Sequence, residues 1–194
     1  MAVFIKTIGE ILQAKHYRGI FGLDLIIDAS GRPYIIELNA RLTGMTTPLA
    51  MLCNKDKKTS LMLMHVLEMA GVDYQLDSEI INNPDLDGGN QGGYLIVHNN
   101  TDRPIKVDRK LIPGVYQRDQ QGQFVYLRAG YSYEDLQTER EFVLADVPSA
   151  THSIIPGKRI LRVLTLERVL EKNSQLGGQF IKLVQQIRNH FIKQ

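Results

Sequence analysis

At 194 residues the chain can bury a real core, as one domain or two small ones. Its 43% apolar and 23% charged content is that of an ordinary globular protein, and a near-balanced formal charge of +2 gives no sign of a nucleic-acid or membrane surface. A lone cysteine, Cys53, excludes an internal disulfide and a thiolate metal cluster. No uninterrupted apolar run nears ~20 residues, so no membrane-spanning helix is expected. The N-terminal segment carries Lys6 and Glu10 and lacks a signal-peptide pattern, so the cytoplasm is the expected compartment.

In chain order, Val3-Phe4-Ile5, Ile8 and Ile11-Leu12 follow helical spacing and predict one amphipathic helix. Two apolar runs, 20–27 and 34–38, then flank Asp28-Ala29-Ser30-Gly31-Arg32, a strong hairpin signal. A turn centred between Ser30 and Gly31 sets Asp24 directly opposite Glu37; a three- or five-residue loop would move the pairing by one. Strand alternation places Asn39 on the face of Asp24 and Glu37, together with Gly22, Ile26 and Ile35. The other face collects Leu23, Leu25, Ile27, Tyr34, Ile36 and Leu38 and is expected to be a core side. Asp28 is expected to close the turn through its own carboxylate.

Carboxylates that face each other across a strand pair repel and weaken it. A divalent cation between Asp24 and Glu37 reverses the sign of that interaction. With Asn39 they form a hard oxygen set suited to Mg²⁺ or Mn²⁺, metals often shared with substrate phosphates. The bland alternative is two solvated carboxylates on a wet face, which the apolar neighbours Ile26 and Ile35 disfavour.

Pro48–Cys53 and Thr59–Ala70 are expected helices, the second Met-rich for packing and ending at Gly71. His65 on it is expected to be a satisfied or partly exposed helix residue, not a ligand. Residues 77–93 are polar, with Pro84 and four glycines, and are expected to form a linker or mobile loop. Gly88-Gly89-Asn90-Gln91-Gly92-Gly93 lacks the Lys-Ser/Thr of a phosphate-binding loop. Strands are expected at 94–97, 114–118, 124–128, 141–145 and 159–166. Phe180, Ile181, Leu183, Val184, Ile187 and Phe191 give a final amphipathic helix. Tyr131-Ser132-Tyr133 fits ordinary β-rich alternation, and Arg159 and Arg162 are expected to be solvated partners of nearby acids. The five histidines show no zinc spacing, and no G-x-S-x-G elbow occurs.

The segment from Gly19 to Gly44 resembles the metal-binding hairpin of the ATP-grasp ligases. Glu37-Leu38-Asn39-Ala40-Arg41 matches their E-x-N-x-R form. Asp24, thirteen residues before Glu37, matches the acidic position as spaced in the D-alanine:D-alanine ligase branch, and Thr43-Gly44-Met45-Thr46 resembles the Gly-Met-Thr that succeeds the metal strand there. The resemblance implies an α+β fold: residues 1–75 as the C-terminal part of an ATP-grasp catalytic domain, 76–93 as linker, and 94–194 as a β-rich domain with a terminal helix. It implies that Asp24, Glu37 and Asn39 hold Mg²⁺ against the β- and γ-phosphates of ATP. Arg41 would contact the γ-phosphate or an acyl-phosphate, and Thr43, Gly44 and Thr46 the substrate carboxylate.

The implied activity joins a carboxylate to an amine or related nucleophile through an acyl-phosphate, on small-molecule substrates. A departure accompanies it. Only about eighteen residues precede the hairpin, and Lys6 and Lys15 do not match the family's upstream nucleotide-binding lysines. The chain therefore reads as the C-terminal part of a longer ligase, inactive without its N-terminal domains. A homodimer is compatible with it, and no nucleic-acid or membrane partner is expected. The rival reading is a non-catalytic binding or assembly module that keeps the fold.

Overall fold

The computed structural model describes residues 2–76, 92–107, 111–119, 121–149, 152–171 and 175–192. The chain divides into two units, Met1–Gly89 and Asn90–Gln194. Almost all of the expected linker at 76–93 lies outside the described residues, as do residues 88–91 of the glycine-rich run.

In the first unit, the apolar spacing of the N-terminus forms helix α1 (Ala2–Ala14). Strands β1 (Gly22–Ile27) and β2 (Pro33–Asn39) pair antiparallel. Helix α2 (Thr46–Lys55) starts before the expected Pro48, which sits in its first turn, where its missing N–H costs nothing. Helix α3 (Leu61–Ala70) starts two residues later than expected because Ser60 caps it, its hydroxyl accepting the Met62 N–H at 3.2 Å. Gly71, left-handed at φ +67°, ends it. His65 is satisfied, as expected: its Nδ1 accepts the Ile20 N–H at 3.3 Å. Gly19 makes room for that contact, since a Cβ there would lie 2.6 Å from Nδ1 and its φ is +107°.

Burial in this unit is thin. Apart from Asn39 and Ser60, every buried residue described in it lies on α2: Thr46, Pro48, Ala50, Leu52 and Cys53. The expected core side of the hairpin is not buried. Leu23 and Leu25 are half-buried, while Ile27, Ile36 and Leu38 are exposed, as are Phe4, Ile5 and Ile11 on α1.

The second unit holds the core. Strands β3 (Gly93–His98), β5 (Gly114–Arg118), β6 (Phe124–Arg128), β7 (Glu141–Ala145) and β9 (Arg159–Thr165) form an antiparallel sheet in the order β3-β9-β7-β5-β6. Helix α4 (Gly178–Ile192) presents Phe180, Leu183, Ile187 and Phe191, all buried, to Val97, Tyr116, Phe142, Leu144 and Val163. Ile181 faces solvent on the same helix. Strands β4 (Ile105–Lys106) and β8 (Ser153–Ile154), which pair with each other, were not expected. At two residues each they are too short for an alternation to show.

The alternation at Tyr131-Ser132-Tyr133, ordinary for a β-rich segment, falls outside the strands: Ser132 opens a 3₁₀ turn at Tyr133–Asp135, and Tyr133 is fully buried with its hydroxyl donating to the Gly93 carbonyl at 3.0 Å. Arg162 is only partly exposed, although its partner is an acid, Asp146, as expected.

If α4 holds the sheet by packing, Phe180→Ala should cost about 3–5 kcal/mol, read as lost hydrogen-exchange protection in β7 and β9. Ile181→Ala should stay within about 0.5 kcal/mol. A loss under about 1 kcal/mol for Phe180→Ala would contradict the packing.

Candidate functional site

The hairpin loop has five residues, Asp28–Arg32, so next to the turn Leu25 pairs with Ile35, Ile26 with Tyr34 and Ile27 with Pro33. That is the one-residue displacement a five-residue loop demands. A bulge between Asp24 and Leu25, with Ile36 as the extra residue on β2, then returns the register, and Asp24 pairs with Glu37, Leu23 with Leu38 and Gly22 with Asn39. The central pairing is therefore as predicted, while two neighbours change sides. Ile35 joins the face of Leu23 and Leu25, and Tyr34 joins that of Asp24 and Ile26.

Asp28 fixes the turn. Its Oδ1 accepts the Ser30 N–H (2.8 Å), the Ser30 hydroxyl (2.6 Å) and the Arg32 N–H (3.0 Å), while Oδ2 accepts the Tyr34 hydroxyl (3.1 Å). The Ser30 hydroxyl, then the Arg32 amide, hold its carboxyl down at about 2.

At the open end of the hairpin, Asp24 and Glu37 are exposed and Asn39 is buried. Asn39 Nδ2 donates to Asp24 Oδ2 at 3.4 Å, which leaves its own side-chain carbonyl available as a further oxygen donor. Arg41, exposed two residues on, donates from Nη1 to the Leu42 carbonyl at 3.2 Å and contacts neither carboxylate. The following loop closes on itself: Thr46 Oγ1 accepts the Thr43 N–H at 2.9 Å, and the Thr43 carbonyl accepts the Thr46 N–H at 3.1 Å. Thr46 is buried and Gly44 exposed. A Cβ on Gly22 would lie 2.7 Å from Thr43 Cγ2, so this loop packs against the residue that pairs with Asn39.

The fold thus gathers Asp24, Glu37, Asn39, Thr43 and Thr46 at one end of the hairpin. The guanidinium of Arg41 is turned aside. Among the described residues no group of three or more His, Cys, Asp or Glu is set to hold a metal. The hairpin set has two carboxylates and an amide, and its all-oxygen chemistry suits a hard cation.

One supporting contact gave no sequence signal. Arg18 Nε donates to Glu68 Oε1 at 2.7 Å and the Tyr74 hydroxyl to Oε2 at 3.1 Å, tying the approach to β1 onto α3. The Arg18 hydrogen bond, then that of Tyr74, lowers the Glu68 carboxyl. Partners fifty residues apart carry no local periodicity.

Because the folded-state value of Asp28 lies below the ordinary ~3.9, the stability it adds is present above about pH 4 and is lost as pH falls through 2. A carboxyl-carbon NMR titration should find its midpoint near 2, and Ser30→Ala should raise it. A midpoint near the ordinary ~3.9 would show that the turn network does not form.

Over 64 residues the chain is 37% identical to a butirosin acyl-carrier protein–L-glutamate ligase of Niallia circulans. The match covers 32% of this chain and 15% of that protein. No family model matches the chain, and no solved structure matches it. No described helix is long and apolar enough to cross a membrane. The chain is a mixed α+β protein with antiparallel sheets, part of which is similar to a ligase.

Proposed function

We propose that this chain is the C-terminal portion of an ATP-dependent ligase that joins a carboxylate to an amine. The observation that carries the reading is Asp24 opposite Glu37, with Asn39 bonded to Asp24 on the same face. Two exposed carboxylates held together gain nothing from each other and gain a great deal from a cation. The likeness of part of the chain to a ligase supports it.

Asp24, Glu37 and Asn39 would hold Mg²⁺ or Mn²⁺, which when bound neutralises charge on phosphoryl oxygens. Arg41 has freedom to swing onto the γ-phosphate or an acyl-phosphate, since its present bond is a single exposed one to Leu42. The Gly44 amide and the hydroxyls of Thr43 and Thr46 would orient the substrate carboxylate. Attack by that carboxylate on the γ-phosphorus releases ADP and forms an acyl-phosphate. The amine then displaces inorganic phosphate. By the same likeness, one reactant is borne on an acyl-carrier protein.

The exposed apolar residues of the first unit support a further part of the reading, that this unit completes itself against other domains of a longer protein. Sixteen large apolar side chains are exposed between Phe4 and Leu76, more than scattered surface residues account for. Lysines that clasp the nucleotide are assigned to those domains.

The test is Mn²⁺ titration followed by NMR line broadening, with ATP present. Amides of residues 22–26 and 36–41 should broaden first, and Asp24→Asn/Glu37→Gln should require about tenfold or more Mn²⁺ for the same effect. Broadening centred elsewhere, or unchanged in the double variant, would overturn the assignment and favour a module without catalysis.

A further inference from the structure

The formal charge of +2 averages two unlike halves. Residues 1–89 carry eight Lys and Arg against eleven Asp and Glu, and residues 90–194 carry fifteen against ten. In the second unit, part of this excess is collected at one end of the sheet. His98 pairs with Arg159 and Ile96 with Arg162 across β3 and β9. The buried Asn99 draws the flanking chain in, its N–H donating to the Lys158 carbonyl at 2.9 Å and its Nδ2 to the Arg103 carbonyl at 3.0 Å. From α4, Arg188 Nε reaches the His98 carbonyl at 3.3 Å.

Four permanent cations, Arg103, Lys158, Arg159 and Arg188, thus sit around one strand end, and a fifth, Arg162, lies three residues further along β9. Among the described residues, the carboxylates that accompany them are Asp102 in the Asn99–Arg103 turn and Asp146. Asp146 is shared: Arg162 Nη2 lies 2.7 Å from its Oδ1 and Arg159 Nη2 3.2 Å from its Oδ2. Its backbone is left-handed, φ +56°, a conformation Asp tolerates, and one carboxylate cannot neutralise two guanidinium groups. Among the described residues, the side chains of Arg103 and Lys158 have no ion-pair partner. The apolar residues Ile96 and Ile155 are exposed in the same region, and Lys158 N–H donates to the Ile155 carbonyl.

We propose that this basic end of the sheet docks an acidic protein, the acyl-carrier protein that presents the reactant. The carrier's identity rests on the ligase reading above; the surface itself does not. Charge complementarity selects the partner's sign, since forked guanidiniums pair with surface carboxylates and steer encounter. Arginine set among exposed isoleucine is the composition of a protein interface. A single-stranded nucleic acid would call for exposed aromatic faces on which bases stack. The patch offers only the imidazole of His98 and, beside Arg162, the half-buried Tyr94.

The experiment is fluorescence anisotropy of a labelled acidic acyl-carrier protein against the full chain at low and moderate salt, with a labelled DNA oligonucleotide in parallel. Binding of the carrier should weaken with salt, and Lys158→Glu/Arg159→Glu should weaken it about tenfold or more. Arg168→Glu/Lys182→Glu makes the same charge change beyond the other end of β9 and should stay within about twofold. Absence of carrier binding, equal losses in both double variants, or tighter binding of DNA would each overturn the proposal. None of these readouts uses the metal hairpin, so Mn²⁺ broadening judges the ligase reading separately.

Discussion

Holding two carboxylates face to face is the constraint on which the hairpin depends. Asp24 and Glu37 repel, and nothing on their own face among the described residues carries a positive charge in contact with them. The strands stay paired because the opposite end is tied: the Asp28 carboxylate collects five hydrogen bonds from three residues, Ser30 and Arg32 of its own turn and Tyr34 beyond it. Local turn chemistry of this kind does not need a core. Its register would nevertheless carry the wrong residue to Asp24, and the single extra residue at Ile36 restores Glu37. Without that bulge, Asp24 would face Ile36, and the oxygen set would be split between two faces.

The two units meet the cost of chain ordering differently. In the second, Phe180, Leu183, Ile187 and Phe191 are each nearly or fully buried against the sheet, and each such side chain contributes roughly 1.5–3 kcal/mol. In the first, burial among the described residues is confined to α2, Asn39 and Ser60, and stability leans on caps and bonds: Ser60 and Gly71 on α3, His65 to Ile20, and Arg18 to Glu68. Contacts of this kind each add little beside a buried aromatic or aliphatic side chain. A unit built this way gains from any surface that covers it.

Most strand positions in the second unit were legible from alternation alone, because each strand spends several residues between turn signals. Gly114–Arg118, Phe124–Arg128 and Glu141–Ala145 form as expected. The pairing of Asp24 with Glu37 was read from a turn centred between Ser30 and Gly31; the loop has five residues and the bulge restores that pair, so neither its cause nor the assignment of sides next to the turn was legible. Alternation is a rule about neighbours in sequence, whereas a bulge is decided by the conflict between loop length and partner strand. Burial was less legible still. Leu38 and Ile36 have the composition of a core side, yet composition states what a residue would gain from burial and not whether anything is there to bury it. Tyr133 shows another limit: its alternation with Tyr131 is ordinary for a β-rich segment, whereas the residue is fully buried in a 3₁₀ turn capped by Ser132.

The two faces of the hairpin therefore require different coverings. Leu23, Leu25, Ile27, Ile35 and Leu38 share a side that gains by exclusion of water. On the other side, exclusion of water alone would strengthen the repulsion between Asp24 and Glu37, since their interaction grows as the local dielectric falls. Protein packed onto that face would destabilise the pair; a cation, or a cation carried with phosphates, would stabilise it. Asn39 marks the boundary. Its side chain is buried, donates to Asp24, and retains a carbonyl oxygen for whatever occupies the site. A hairpin that asks for apolar contact on one face and positive charge on the other is suited to lie between a protein surface and a charged ligand, which is the position the ligase reading assigns to it.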